Sequence, residues 1–303
     1  MKIRLHPEVA AALSDGRAVV ALESSVLAQG LPAPANREAD RRMCAAIRAR
    51  GAVPAVTAVV RGVPVAGLEP ADLERFLARS GIPKVSARDL PWSIASGGDG
   101  ATTVAASLCI CARAGLPVFA TGGIGGVHRS APGSPIDESA DLLELSRSSV
   151  VTVCAGAKSI LDLGATVERL ETLGITVIGF RTDEFPGFFT AHTGLPVSAV
   201  ADSPGAIASA FRAARALGRP GALLVVQPPP PAAALDGRLV EEAVSAALAL
   251  AAHRRISGAM LTPFLLAEVE RATGGRSLDA NLALLEANAA LAAEIAVALT
   301  DSG

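Results

Sequence analysis

Short apolar runs that close on glycine or a polar turn, each followed by a stretch with helical spacing, recur from Arg17 to Val226. Strand and helix repeated in that order predict parallel strands covered by helices. Arg17–Leu22 reads as a strand that ends on Glu23, and Arg37–Ala49 as a helix closed by Gly51. Residues 52–68 carry two apolar runs around Arg61 and Gly62, a hairpin-like pattern. The stretch SGGDGATTVAASLCICARAG predicts a glycine-rich turn that opens a helix stopped by Gly115, and Pro117–Thr121 follows as a strand. Ser149–Cys154 repeats the unit: strand, Ala-Gly-Ala turn, then a helix in which Ile160, Leu161, Val167 and Leu170 share one apolar face. Further strands are expected at Ile175–Phe180 and Gly221–Val226, before an extended QPPPP linker. From Gly237 onward three helical stretches dominate. The expected architecture is therefore α/β, with a mostly parallel sheet and a helical C-terminal region.

Composition narrows the partners. Half of the 303 residues are hydrophobic, ample for a packed core. Lys plus Arg total 27 against 29 Asp plus Glu, so no overall field draws the chain to nucleic acid or an anionic membrane. Any anion must be caught by a local site. The four cysteines, Cys44, Cys109, Cys111 and Cys154, have neither metal-ligand spacing nor the density of a disulfide scaffold, and read as reduced thiols in a cytoplasmic protein. The first residues lack the pattern of a secretory signal, and charged residues interrupt the apolar stretches near the end, so no membrane partner is expected.

Several segments carry candidate chemistry. In VCAGAKSILDLG, Lys158 stands alone among small and apolar residues where a strand hands over to a helix. A helix N-terminus and apolar neighbours both disfavour the ammonium, and a neutral amine is a nucleophile towards a carbonyl carbon. The alternative is a surface lysine whose stem covers apolar residues. Glu23 ends an apolar strand, where ligand sites gather in parallel α/β folds, and is a candidate general acid or a helix cap. SGGDGATTV puts Thr102 and Thr103 at a helix start, suited to phosphate, and Lys84 in KVSARDL could add a point charge to it. The loop ATGGIGGVHRS, ending near His128, can wrap a ligand with backbone amides. In IDESADL, Asp137, Glu138 and Asp141 offer oxygen ligands to a divalent ion or, alternatively, form a solvated first helical turn.

In their order, ALESSVLAQGLP, KVSARDLP, GGDGATTVAAS, FATGGIGGVHR, IDESADL, VCAGAKSILDL, RTDEFPGFF, TPFLLAEV and GGRSLDANLALLEANAALAAEIA closely resemble the pseudouridine-5'-phosphate glycosidases. The resemblance implies one α/β/α domain over residues 1–303 and a homotrimer. It implies reversible cleavage of the C–C bond between ribose 5-phosphate and C5 of uracil, with Lys158 as nucleophile on C1' and Glu23 as proton donor. It further implies one Mn²⁺ per subunit at Asp137, a substrate pocket lined by Ser139, Ala140 and Asp141, and phosphate binding by Lys84 and the stretch around Val104. Thr102 and Thr103 join the phosphate group on helix-terminus grounds. Thr121, His128 and Asn281 are expected to touch base or ribose.

Three departures fall near the leaving ring. Gln29 stands where the family commonly has histidine, Phe189 where an aromatic with a hydroxyl is usual, and Arg181 where a small or uncharged residue is usual. They leave Glu23, Lys158 and Asp137 untouched, so the alternatives are a C-glycosynthase that joins ribose 5-phosphate to another carbon nucleophile, or a non-catalytic sugar-phosphate-binding protein.

Overall fold

The computed structural model describes residues 2–79, 81–129, 137–256 and 261–300. Its strands are β1 (Arg4–Leu5), β2 (Val19–Glu23), β3 (Val53–Val60), β4 (Val63–Ala66), β5 (Lys84–Val85), β6 (Gly100–Thr102), β7 (Val118–Ala120), β8 (Val127–His128), β9 (Val151–Cys154), β10 (Leu161–Asp162), β11 (Thr176–Phe180), β12 (Ala199–Ala201) and β13 (Leu223–Val226). The helices are α1 (Pro7–Ser14), α2 (Ala35–Arg48), α3 (Pro70–Leu77), α4 (Leu90–Ala95), α5 (Val104–Ala114), α6 (Ala140–Leu145), α7 (Leu163–Thr172), α8 (Pro204–Ala216), α9 (Gly237–His253), α10 (Leu261–Ala272) and α11 (Arg276–Thr300).

The main sheet runs β1-β4-β3-β2-β7-β9-β13-β11-β12, with β6 also on β3 and β5 on β6. From β3 to β12 all neighbours are parallel, as the strand-helix cadence predicts. Their sequences are near-continuous apolar runs because both faces are covered: all five residues of β2 and all four of β9 and β13 are buried. The expected hairpin is present, β3 against β4 with Val60 opposite Val63.

The order contains a switch point. After β2 the chain lays β3 on one side, and β7 later takes the other. Such a reversal opens a crevice beyond the carboxyl ends of the strands, where ligands bind in open α/β sheets. Glu23 ends β2, Thr121 follows β7, and the segment carrying Lys158 follows β9.

Helix termini follow local chemistry. The Thr103 hydroxyl accepts from the Ala106 amide at the start of α5, and Gly115 closes that helix at φ +72°. α11 is long and apolar enough by composition to cross a membrane, but more than half of its apolar window is buried. It packs along α2 and α8 and over β2, β7 and β9, as a core helix does.

One element differs from expectation. The predicted helix following the Ala-Gly-Ala turn does not begin near Lys158. Residues 155–160 form a turn, Leu161 and Asp162 pair with β8, and α7 starts only at Leu163, where Asp162 accepts from the Ala165 amide. Ile160 and Leu161 are buried, yet by this turn and short strand rather than by a helix face.

Candidate active site

The carboxyl ends of these strands open into a cavity of about 470 Å³. Glu23, Lys84, Thr103, Val104, His128, Asp137, Ser139, Ala140, Asp141 and Lys158 all line it, so segments far apart in sequence converge on one space. The chain has three lysines, Lys2, Lys84 and Lys158, and two of them are here.

Glu23 is 8% exposed. Its Oε2 accepts from the Ser25 hydroxyl at 2.5 Å and its Oε1 from the Thr121 hydroxyl at 2.5 Å. The two bonds fix both oxygens while leaving an edge open to the cavity. Each hydroxyl can turn and accept instead, so the pair can serve a protonated carboxyl as well as a carboxylate. Thr121 is buried behind the residues that line the cavity, and its hydroxyl holds Glu23.

Lys158 is half-buried among buried Ala157, Ser159 and Ile160. Its amide donates to the Ile124 carbonyl at 3.1 Å and its carbonyl accepts from Leu161 at 3.0 Å. Because α7 begins five residues later, the helix-terminus contribution expected at Lys158 is absent. Lys84 opens onto the same cavity from β5. Loss of hydration lowers its pKa below the usual lysine value, and the charge of Lys158 acts in the same direction, with Glu23 and Asp141 opposing.

The start of α5 is largely occupied by protein. Asp141 Oδ1 accepts from the Ala105 amide at 2.9 Å, and Thr103 accepts from Ala106. Val104, whose amide is the first of the helix, lines the cavity. An anion would therefore meet that end of α5 at Val104 rather than across a whole turn. Thr102 is not part of it. Fully buried, it bonds to Ser24, Thr57 and Ser107 behind the wall, which overturns its expected place in a phosphate cradle. Strand β6 is the reason, since it turns Thr102 towards β3.

The glycine-rich loop reaches the cavity at Gly125 and is engaged by protein there as well. Gly125 donates its amide to Asp141 Oδ2 at 2.9 Å, and a Cβ there would lie 2.3 Å from the Ser139 hydroxyl oxygen. Its glycine permits close approach of the α6 cap to the loop. Asp141 thus ties α5 to this loop, while Ser139 caps α6 by accepting from the Asp141 amide at 3.2 Å.

Of the four acids in the cavity wall, Glu23 and Asp141 are engaged as above and Glu138 pairs with Arg169 at 2.8 Å. Asp137 is exposed, and its side chain has no hydrogen-bond or ion-pair partner among the described residues. No three His, Cys, Asp or Glu side chains gather as a metal cage among the described residues. One open carboxylate suits a hard divalent ion that keeps most of its waters.

Asn281 lies half-buried on α11, outside the residues that line the cavity. Asn288, two turns further along the same face of α11, carries no functional signal in the sequence. It donates to the carbonyls of Thr121 at 2.8 Å and Gly122 at 3.3 Å and accepts from Gln227 at 2.9 Å, so it secures the loop that positions Thr121. Ser25 had a signal in its adjacency to Glu23. Gln29 donates to the Ile82 carbonyl at 2.8 Å, beside the strand of Lys84, and is not in the cavity wall.

A family profile described as "Indigoidine synthase A like protein" matches residues 8–298. A pseudouridine-5'-phosphate glycosidase of Gemmatimonas aurantiaca is 60% identical over 99% of this chain and 97% of its own length. One from Herpetosiphon aurantiacus is 50% identical, covering 99% of each chain. Among solved structures, the prealnumycin C-glycosynthase AlnA in complex with ribulose 5-phosphate superposes with a TM-score of 0.92 at 40% identity, covering 99% of this chain and 98% of that one. An indigoidine synthase A-like protein from Thermotoga maritima gives 0.89 at 37% identity, covering 99% and 97%.

Proposed function

We propose that this chain, which belongs to the indigoidine synthase A-like family, reversibly cleaves pseudouridine 5'-phosphate to uracil and ribose 5-phosphate through a covalent adduct on Lys158. The observation that carries the reading is the convergence of Glu23, at the end of β2, Lys158, after β9, and Lys84, on β5, on one cavity: two of the chain's three lysines beside one buried carboxyl.

The leaving group explains why two carboxylates would not suffice. A glycosidic oxygen departs once protonated, whereas a ring carbon needs its bond electrons drawn out by other means. In the cleavage direction Glu23 gives its proton to the ribose ring oxygen as the C1'–O bond opens, and the Lys158 amine bonds to C1'. The nitrogen lone pair then forms an iminium as the C1'–C5 pair passes to uracil, where C5 takes a proton. Water hydrolyses the iminium, freeing Lys158 and ribose 5-phosphate. Synthesis runs the same steps in reverse, with water released when the imine forms.

Lys84 and the Val104 amide suit the phosphate, one as a point charge and the other as a directed donor. Thr103, His128, Ser139, Ala140 and Asp141 complete the wall. Asp137 would hold one hydrated Mn²⁺, which when bound adds positive charge beside an anionic substrate. A homotrimer, as the resemblance implies, belongs to the same proposal. Free thiols at Cys44, Cys109, Cys111 and Cys154 support a cytoplasmic location.

The likeness to AlnA favours one second reading, a C-glycosynthase that joins ribose 5-phosphate to a different carbon nucleophile. Uracil release from pseudouridine 5'-phosphate, measured with Mn²⁺ present, separates the two. Release supports the glycosidase; its absence from folded protein that still forms the ribose 5-phosphate adduct supports the synthase.

A further inference from the structure

The turn that carries Lys158 lies outside any helix, so its placement depends on tertiary bonds. Its inner side is held by the Lys158 amide on the Ile124 carbonyl. Its far side is held by the pairing of β10 with β8 and by one side chain. The Arg129 guanidinium donates through Nε to the Leu161 carbonyl at 3.1 Å and through one terminal nitrogen to the Ser159 carbonyl at 3.4 Å. The same guanidinium meets both oxygens of Glu241 on α9, at 2.5 and 2.8 Å, and Glu241 also accepts from Ser245 at 3.3 Å.

We propose that Arg129, anchored by Glu241, is a positioning residue that fixes the aim of Lys158. Arg129 does not line the cavity, although His128 before it does. It acts through the backbone carbonyls of Ser159 and Leu161, which follow the nucleophile in the chain, and Leu161 itself lines the cavity. The planar fork can serve two carbonyls and a carboxylate at once; a lysine ammonium at the same place cannot span all four acceptors. Nucleophilic attack is sensitive to such placement, because an error of about 1 Å can cost on the order of a hundredfold in rate.

This inference rests on the assignment of Lys158 as nucleophile but not on uracil as the leaving ring. The test is therefore the rate of borohydride-trapped ribose 5-phosphate adduct on Lys158, read by peptide mass, beside steady-state kinetics. For Arg129→Ala the adduct rate and kcat should fall together by about tenfold or more, with KM changed less than about threefold. Arg129→Lys should recover only part of the rate. Unchanged trapping, or a rise in KM with kcat intact, would overturn the proposal. If Arg129→Ala does not fold, Glu241→Gln decides: a several-fold slower adduct supports the clamp and an unchanged rate refutes it. A wild type that traps ribose 5-phosphate but releases no uracil would remove the glycosidase reading and leave this inference standing. A wild type that traps nothing would remove both.

Discussion

The Thr121 hydroxyl donates to Glu23 Oε1 across the gap between two neighbouring parallel strands, and its own backbone carbonyl accepts from Asn288 of the long C-terminal helix. A proton donor at a strand end is thereby tied to the core of the fold. Thr121→Val keeps the shape and deletes the bond, and should lower kcat about tenfold, the equivalent of one hydrogen bond to a charged group, with little change in KM. Uracil-release kinetics check this; an unchanged kcat would show that Ser25 alone suffices.

Thr102→Val separates wall from lining. Because the Thr102 hydroxyl serves a buried network with Ser24, Thr57 and Ser107, the substitution should cost about 1–3 kcal/mol of stability while KM for the phosphorylated substrate stays the same. Denaturant melts with parallel kinetics measure both. A raised KM in a protein of normal stability would return Thr102 to the phosphate site.

Lys84→Met should raise KM strongly and affect kcat less, as expected for a group that binds the phosphate. Its stability effect has a defined sign. A lysine whose folded pKa lies below its unfolded value binds fewer protons in the folded state, so folding is penalised at neutral pH and the penalty lifts as pH climbs through the lowered pKa towards the usual lysine value. Because Lys84 is exposed at the edge of the cavity, solvent screens most of this effect, and Lys84→Met should melt at the same or a slightly higher temperature than wild type at neutral pH, with any advantage fading in the alkaline range. A fall in melting temperature at neutral pH would contradict a lowered pKa at this position.

Asp137→Asn should weaken Mn²⁺ binding by about tenfold or more, since a hard ion held through few protein oxygens depends on each charge. Loss of the free-ion electron paramagnetic resonance signal on titration gives the affinity without reference to turnover. Equal binding by both proteins would place the ion elsewhere.

Much of this was legible in the sequence because it is local. Apolar runs ending in Glu23 and Cys154 announce buried parallel strands, and the motif order brings Lys84, Val104, Asp137 and Lys158 into one family pattern. What escaped depends on distance and direction. The start of α7 was read too early because Ile160 and Leu161 carry the right hydrophobicity, although pairing with β8 claims them first. Thr102 and Thr103 are adjacent and chemically identical, yet one strand register buries the first and leaves the second at the cavity. Bonds from Asn288 to Thr121, 167 residues apart, and from Arg129 to Glu241, 112 apart, have no signature along the chain. The glycines of the loop before His128 have a second use that the sequence does not show: Gly125 lines the cavity and also admits Asp141 and Ser139 at close range.

The central claim is covalent chemistry at Lys158, and the chain's three lysines make it directly testable. Ribose 5-phosphate with borohydride, followed by peptide mass mapping, should modify the peptide holding Lys158, and Lys158→Ala should lose the adduct while remaining folded and able to bind ligand. Turnover without any adduct at Lys158, or full activity in Lys158→Ala, would contradict the account.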